Sequence, residues 1–214
     1  MQILEDKSSS EHLRKEREYE KEIFGNTSRE SFPVTQDYIK SICEEIRELY
    51  PEKQIVIMDI GCSYGDNLIG LAYKLKPHFR NVRIIGVDRS SHRIKKAKLR
   101  HLLPRIYLKL SGVNTGFYHK ELAEGNYIKE YDGTEIKADI MKITDISKYG
   151  GEIFSLDDWA GHNLEKGGYL FYANSDIYAL TPTTNCVKMY KKEDKLELIK
   201  EYVDKDFNIS APRE

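Results

Sequence analysis

Residues 55–60 read Ile-Val-Ile-Met-Asp-Ile, and the next seven read Gly-Cys-Ser-Tyr-Gly-Asp-Asn. Ile55 to Met58 is apolar without alternation, as a parallel strand covered on both faces requires. It stops abruptly at glycines and small polar residues. The following segment, Leu68, Leu71, Ala72 and Leu75, repeats at helical spacing. A second run of the same kind, Asn-Val-Arg-Ile-Ile-Gly-Val-Asp, ends at Asp88 and leads into another helical pattern with serine caps. Strand, turn, helix, strand, helix restricts the chain to an α/β class. We expect a doubly wound, mostly parallel sheet with helices on both faces.

The rest of the chain is fitted around that centre. Residues 1–35 read as an N-terminal helical extension and linker, dense in alternating charge and ending near Pro33. Residues 36–214 read as one α/β domain, which a chain of 214 residues favours. Residues 102–125 mix short apolar pieces with turn signals and suggest an insertion or lid. Asn126–Gly133 is expected to be the third strand and Ile136–Ile146 the fourth. Gly151–Gly168 is expected to be a helix ending at the Gly167-Gly168 turn. Tyr169–Asp176 would follow as a strand. Val187/Met189 and Leu196/Leu198, around a polar turn, predict an antiparallel C-terminal hairpin.

The turn at 61–67 is where a ligand belongs. In open α/β sheets, ligands sit beyond the carboxyl ends of the strands, at the switch point. A dinucleotide fingerprint would place glycines at 61, 63 and 66, and this chain has Ser63 and Asp66 there. No Gly-Lys-Ser/Thr follows, which excludes a P-loop. Asp59 and Asp66 would repel phosphate and could face an ammonium or sulfonium. Asp88, 23 residues after Gly65, could accept from both hydroxyls of a ribose. A ligand with a ribose, a cation and no phosphate fits these positions, and S-adenosyl-L-methionine is one.

These stretches resemble the class I, Rossmann-like, S-adenosylmethionine-dependent methyltransferases. Ile-Met-Asp-Ile-Gly-Cys-Ser-Tyr-Gly-Asp-Asn is similar to their first motif, with Ser63 at its middle glycine. Ile-Ile-Gly-Val-Asp-Arg-Ser is similar to their second, and Asn-Leu-Glu-Lys-Gly-Gly-Tyr to the turn before their fifth strand. The resemblance covers roughly residues 36–176. It implies that Gly61, Cys62, Ser63 and Gly65 line the methionine part of the cofactor. It implies that Asp59 orients the amino group and that Asp88, with Arg89 beside it, holds the ribose. Asp132, after the expected third strand, would reach the adenine, and Thr144 would lie near the transferring methyl. Asp145, Tyr149 and His162 are the catalytic candidates near the acceptor.

The acceptor itself is not written in these motifs. A small molecule is favoured, with RNA or protein as the alternative. RNA is kept by eight Lys/Arg and no acid from Arg89 to Lys109. A methyltransferase-like binding or scaffold protein without catalysis is the alternative of another class. The net charge of −1 gives no whole-molecule pull towards nucleic acid or membrane. Three scattered cysteines suggest neither zinc nor disulfides. The N-terminus lacks an apolar core and no run is long enough to span a bilayer, so we expect a cytoplasmic protein with no membrane partner and no metal.

Overall fold

The computed structural model of the protein describes residues 32–120, 128–129, 134–144, 156–174 and 184–205. The described elements are α1 (Pro33–Leu49), β1 (Ile55–Ile60), α2 (Asp66–Leu75), β2 (Val82–Asp88), α3 (Ser91–Arg100), α4 (Leu102–Leu110) and β3 (Val113–His119). They continue with β4 (Ala138–Thr144), α5 (Leu156–Asn163), β5 (Leu164–Asn174), β6 (Thr184–Lys192) and β7 (Leu196–Lys205).

The seven strands form one sheet in the order β3-β2-β1-β4-β5-β6-β7. The pairs from β3 to β5 are parallel. β6 runs antiparallel to β5, and β7 antiparallel to β6. The chain steps outward from β1 to β3, then returns to lay β4 on the other side of β1. That reversal is the switch point of a doubly wound sheet. It sets Ile60 beside Val87 on one side and beside Ile143 on the other.

Alternation along the strands divides the core in two. On one face Ile57, Ile84, Phe171 and Val187 pack beneath Ile39, Leu71, Ile94 and Leu108 of α1 to α4. On the other, Met58, Ile60, Ile85 and Met141 pack against Ile128, Ile136 and Ala160 of α5. Every residue of β1 except Val56 is buried, which explains the apolar run from Ile55 to Met58.

Several expectations are corrected. Across 102–120 there is no insertion or lid: the segment is α4 and β3 of the sheet itself. The third strand is therefore Val113–His119, not Asn126–Gly133. The helix expected to end at Gly167-Gly168 ends at Asn163, and β5 already begins at Leu164. Gly167 lies inside β5 in the left-handed region (φ 81°), where the pairing with β4 shifts between Ala138 and Ile140. That is a bulge, not a helix stop. The first described helix starts at Pro33, where a proline fits because its missing N–H would have no partner in the first turn.

The C-terminal hairpin does more than close the sheet. α1 has no side-chain cap of its own at Phe32. Asp204 of β7, fully buried, takes that role. It accepts from Val34 N–H at 3.2 Å, Thr35 N–H at 2.7 Å and the Thr35 hydroxyl at 2.6 Å. On the opposite face Lys192 of β6 donates to the Ala160 and Gly161 carbonyls of α5 and to Leu164 O. An acid at a helix start and a base at a helix end both complement the helix dipole. Among the described residues, no helix is long and apolar enough to cross a membrane.

Candidate functional site

The site is built where β1 ends. Gly61 and Gly65 both have φ of 80°, and Ser63 between them has φ of 50°. Three left-handed residues in five fold the chain back on itself before α2 begins. The Gly61 and Cys62 amides donate to Val87 O at 2.8 and 3.1 Å, and Gly65 N–H donates to Cys62 O at 2.9 Å. The turn is thus stitched to β2 through its own backbone. α2 starts directly after it, and the first amides of a helix have no intrahelical acceptor.

Asp88 anchors the turn from the neighbouring strand. Its Oδ2 accepts from Ser63 N–H at 2.9 Å and its Oδ1 from Ser90 N–H at 2.8 Å. It is buried, yet each carboxylate oxygen keeps a second lone pair for a ligand hydroxyl. Arg89 follows it, exposed. The Arg89 carbonyl lies 2.9 Å from His119 Nε2.

Asp59 points to the face covered by α1 and α2. There it meets Lys142 of β4, its register partner across the sheet, with Nζ 3.4 Å from Oδ1. Lys142 also lies over the Phe32 ring, 4.2 Å from its centroid. Burial pushes the Asp59 pKa up, and Lys142 opposes that shift. Phe32, Ile39, Leu68 and Leu71, with Thr35 and Gln36, line a mostly apolar cavity of about 20 Å³ beside the pair. That is room for one water. Asp66 has a cation of its own, Arg100 at 3.1 Å, and the His101 ring lies 3.4 Å away. The expectation that Asp59 and Asp66 face a ligand's cation is corrected accordingly, since both already face cations of this chain.

Cys62 is buried beneath the turn. Burial, then Asp59 and Asp88, push its thiol well above the ordinary range. Its sulfur packs against Gly86 of β2, where a Cβ would come within 2.8 Å of it. Thr144 ends β4, beside the switch point. Its buried Oγ1 has no hydrogen-bond partner among the described residues. A buried hydroxyl without a partner is costly and marks a place where a ligand group would be welcome.

The structure therefore brings Asp59, Gly61, Cys62, Ser63, Gly65, Asp88, Arg89 and Thr144 to the carboxyl end of the parallel strands. His162 is not with them. It precedes Leu164, which pairs with Ala138 at the start of β4, whereas Ile60 pairs with Ile143 near its end. Five residues of strand separate the two positions, about 17 Å. Asp132, Asp145 and Tyr149 lie outside the described residues, and the strand expected to present Asp132 is elsewhere.

Three side chains escaped the sequence reading. Lys142 had a signal: a lysine inside the otherwise apolar Ala-Asp-Ile-Met-Lys-Ile-Thr strand demands a partner. Phe117, from β3, lies against Gly65, where a Cβ would come within 2.3 Å of its ring. His101, at the junction of α3 and α4, has Nε2 2.9 Å from Tyr64 O and stacks on Phe117. Neither could be paired with the turn without knowing where β3 lies.

No family model matches the chain, and no curated protein matches it. Solved structures do. The chain is similar to YjhP from E. coli, with 19% identity, 62% of this chain and 47% of that chain covered, and a TM-score of 0.40. It is similar to a SAM-dependent methyltransferase from Thiobacillus denitrificans in complex with S-adenosyl-L-homocysteine, with 17% identity, coverage of 73% and 55%, and a TM-score of 0.44. A putative protein-L-isoaspartate O-methyltransferase from Plasmodium falciparum, also in complex with S-adenosyl-L-homocysteine, shares 14% identity over 80% of this chain and 71% of that one, with a TM-score of 0.45. The chain spans about half the length of the first two.

Proposed function

We propose that the protein is an S-adenosylmethionine-dependent methyltransferase whose cofactor lies across the turn between β1 and α2. The observation that carries this reading is the turn itself: three left-handed residues at the switch point, held by a carboxylate at the end of the next strand. The donor set fits the cofactor. Asp88, buried at the end of the next strand and bonded to the turn, sets a carboxylate against it, which disfavours phosphate. Asp88 retains acceptor capacity for ribose hydroxyls, with Arg89 beside it. Gly61, Cys62, Ser63 and Gly65 would follow the methionine part, with Asp59 below them. Thr144 offers an unused hydroxyl at the adjoining strand end.

When bound, the cofactor supplies a methyl group already activated by a positive sulfur. What remains for the chain is to bind, orient and exclude water. The stitched turn fixes the backbone against which the cofactor rests. Phe32, Thr35 and Gln36 shield the Asp59 side from solvent. A base is needed only for an acceptor that must lose a proton in the transition state. His162 is too far away for that, which leaves Asp145 and Tyr149 as candidates. The acceptor we favour is a small molecule; the start of α1 packs beside Asp59 at the foot of the turn, on the side where a larger acceptor would have to enter.

Calorimetric titration of S-adenosylmethionine and S-adenosylhomocysteine tests the reading. We expect both to bind, and Asp88→Ala to abolish binding. Circular dichroism should show that the variant remains folded. A folded wild-type protein that binds neither compound would overturn the proposal.

A further inference from the structure

The basic segment from Arg89 to Lys109 is the stretch that keeps RNA as an alternative in the sequence. Its structure adds apolar exposure. Leu99, Leu103 and Leu110 are 78%, 76% and 83% exposed, and Leu102 and Ile106 are half exposed. Among the residues of α4, only Leu108 is buried. Leu102, Leu103, Ile106 and Leu110 fall within about 100° of arc at 3.6 residues per turn. Leu99, at the end of α3, extends the ridge. Exposed Lys95, Lys98 and Lys109 flank it. A contiguous apolar ridge of this kind on a monomer's surface marks a contact.

Physical chemistry separates the occupants. RNA would use the cations but leave five aliphatic side chains against phosphates and sugars, and aromatic groups for base stacking are sparse here. A second copy would oppose two strongly basic surfaces with no acid between residues 89 and 109 to relieve them. Neither α3 nor α4 brings an acid that would select a partner. An anionic bilayer surface suits each feature. Acyl chains take up an exposed row of aliphatic side chains, and lipid phosphates meet the lysines around it.

We propose that the α3–α4 ridge seats this protein on an anionic membrane surface, with α4 lying in the plane of the interface. This departs from the expectation of no membrane partner, which weighed only net charge and the length needed to span. No spanning segment is required for surface attachment.

Co-sedimentation of the full chain with vesicles tests it. One set is phosphatidylcholine alone, the other phosphatidylcholine with phosphatidylglycerol. We expect binding to the second set, falling as salt rises. Leu103→Ser with Leu110→Ser, and separately Lys95→Glu with Lys98→Glu, should each weaken binding about tenfold or more. These side chains are exposed, so urea midpoints should stay at the wild-type value. Sedimentation with neither vesicle set, or binding that survives the leucine changes, would overturn the proposal. So would a concentration-dependent dimer abolished by those leucine changes in a protein that ignores vesicles; the ridge would then join two copies. RNA binding lost with the lysines but indifferent to the leucines, again without vesicle binding, would return the segment to a polyanion role.

Discussion

A Cβ on Gly65 would lie 2.3 Å from Phe117 Cε1, at a backbone φ of 80°. Gly65→Ala therefore meets two penalties, a left-handed backbone and an overpacked ring. We expect a loss of about 2–4 kcal/mol in urea unfolding. Adding Phe117→Leu should recover part of it, because neighbours in contact are not additive. His101 gives the turn a pH dependence. Burial lowers its pKa from the usual 6.5; the Tyr64 carbonyl and then Asp66 offset this only in part, with Arg100 and Arg105 adding to the lowering. The folded state thus binds this proton less readily than the unfolded chain. The contribution to stability is fully present above pH 6.5 and is lost as pH falls through the lowered value. Denaturant midpoints measured against pH should show this decline in the wild type, and His101→Gln should show less of it.

At the scale of elements, the two helix ends tied by the hairpin can be tested separately. Asp204→Ala leaves the Val34 and Thr35 amides and the Thr35 hydroxyl without their acceptor, and we expect a loss of about 2–3 kcal/mol. Lys192→Met should cost about 1–2 kcal/mol, read from the same unfolding curves. The parts of the fold legible in the sequence were the strands buried on both faces. β1, β2 and β4 carry runs of buried apolar residues, and so they announce themselves. β3 is an edge strand, half exposed from Asn114 to Gly116. Its sequence, Val-Asn-Thr-Gly-Phe-Tyr-His, has neither a continuous apolar run nor clean alternation, so it was mistaken for part of an insertion. The start of β5 was mistaken for a helix end because Gly167-Gly168 forms a bulge rather than a stop. In the site, the glycine turn and Asp88 were legible, since both lie at strand ends next to one another in sequence pattern. The Asp59–Lys142 pair was not, because its partners lie 83 residues apart.

For the whole molecule, the sheet order predicts where stability resides. β1 and β4 sit between covered faces and paired neighbours, whereas β7 is an edge carrying Glu197, Lys200 and Glu201, charges that discourage a further strand. In native-state hydrogen exchange the amides of Ile57, Met58 and Ile143 should exchange only through global unfolding, and the amides of β7 well before that. The same layout has a consequence for synthesis. A ribosome makes α1 early, but the carboxylate that satisfies its first amides is added 170 residues later. The glycine turn and all the parallel strands emerge while both α1 and α5 still have loose ends. Nascent chains stalled before residue 184 should therefore be sensitive to protease at these two helices. The hairpin works as a latch, closing a body that is already assembled.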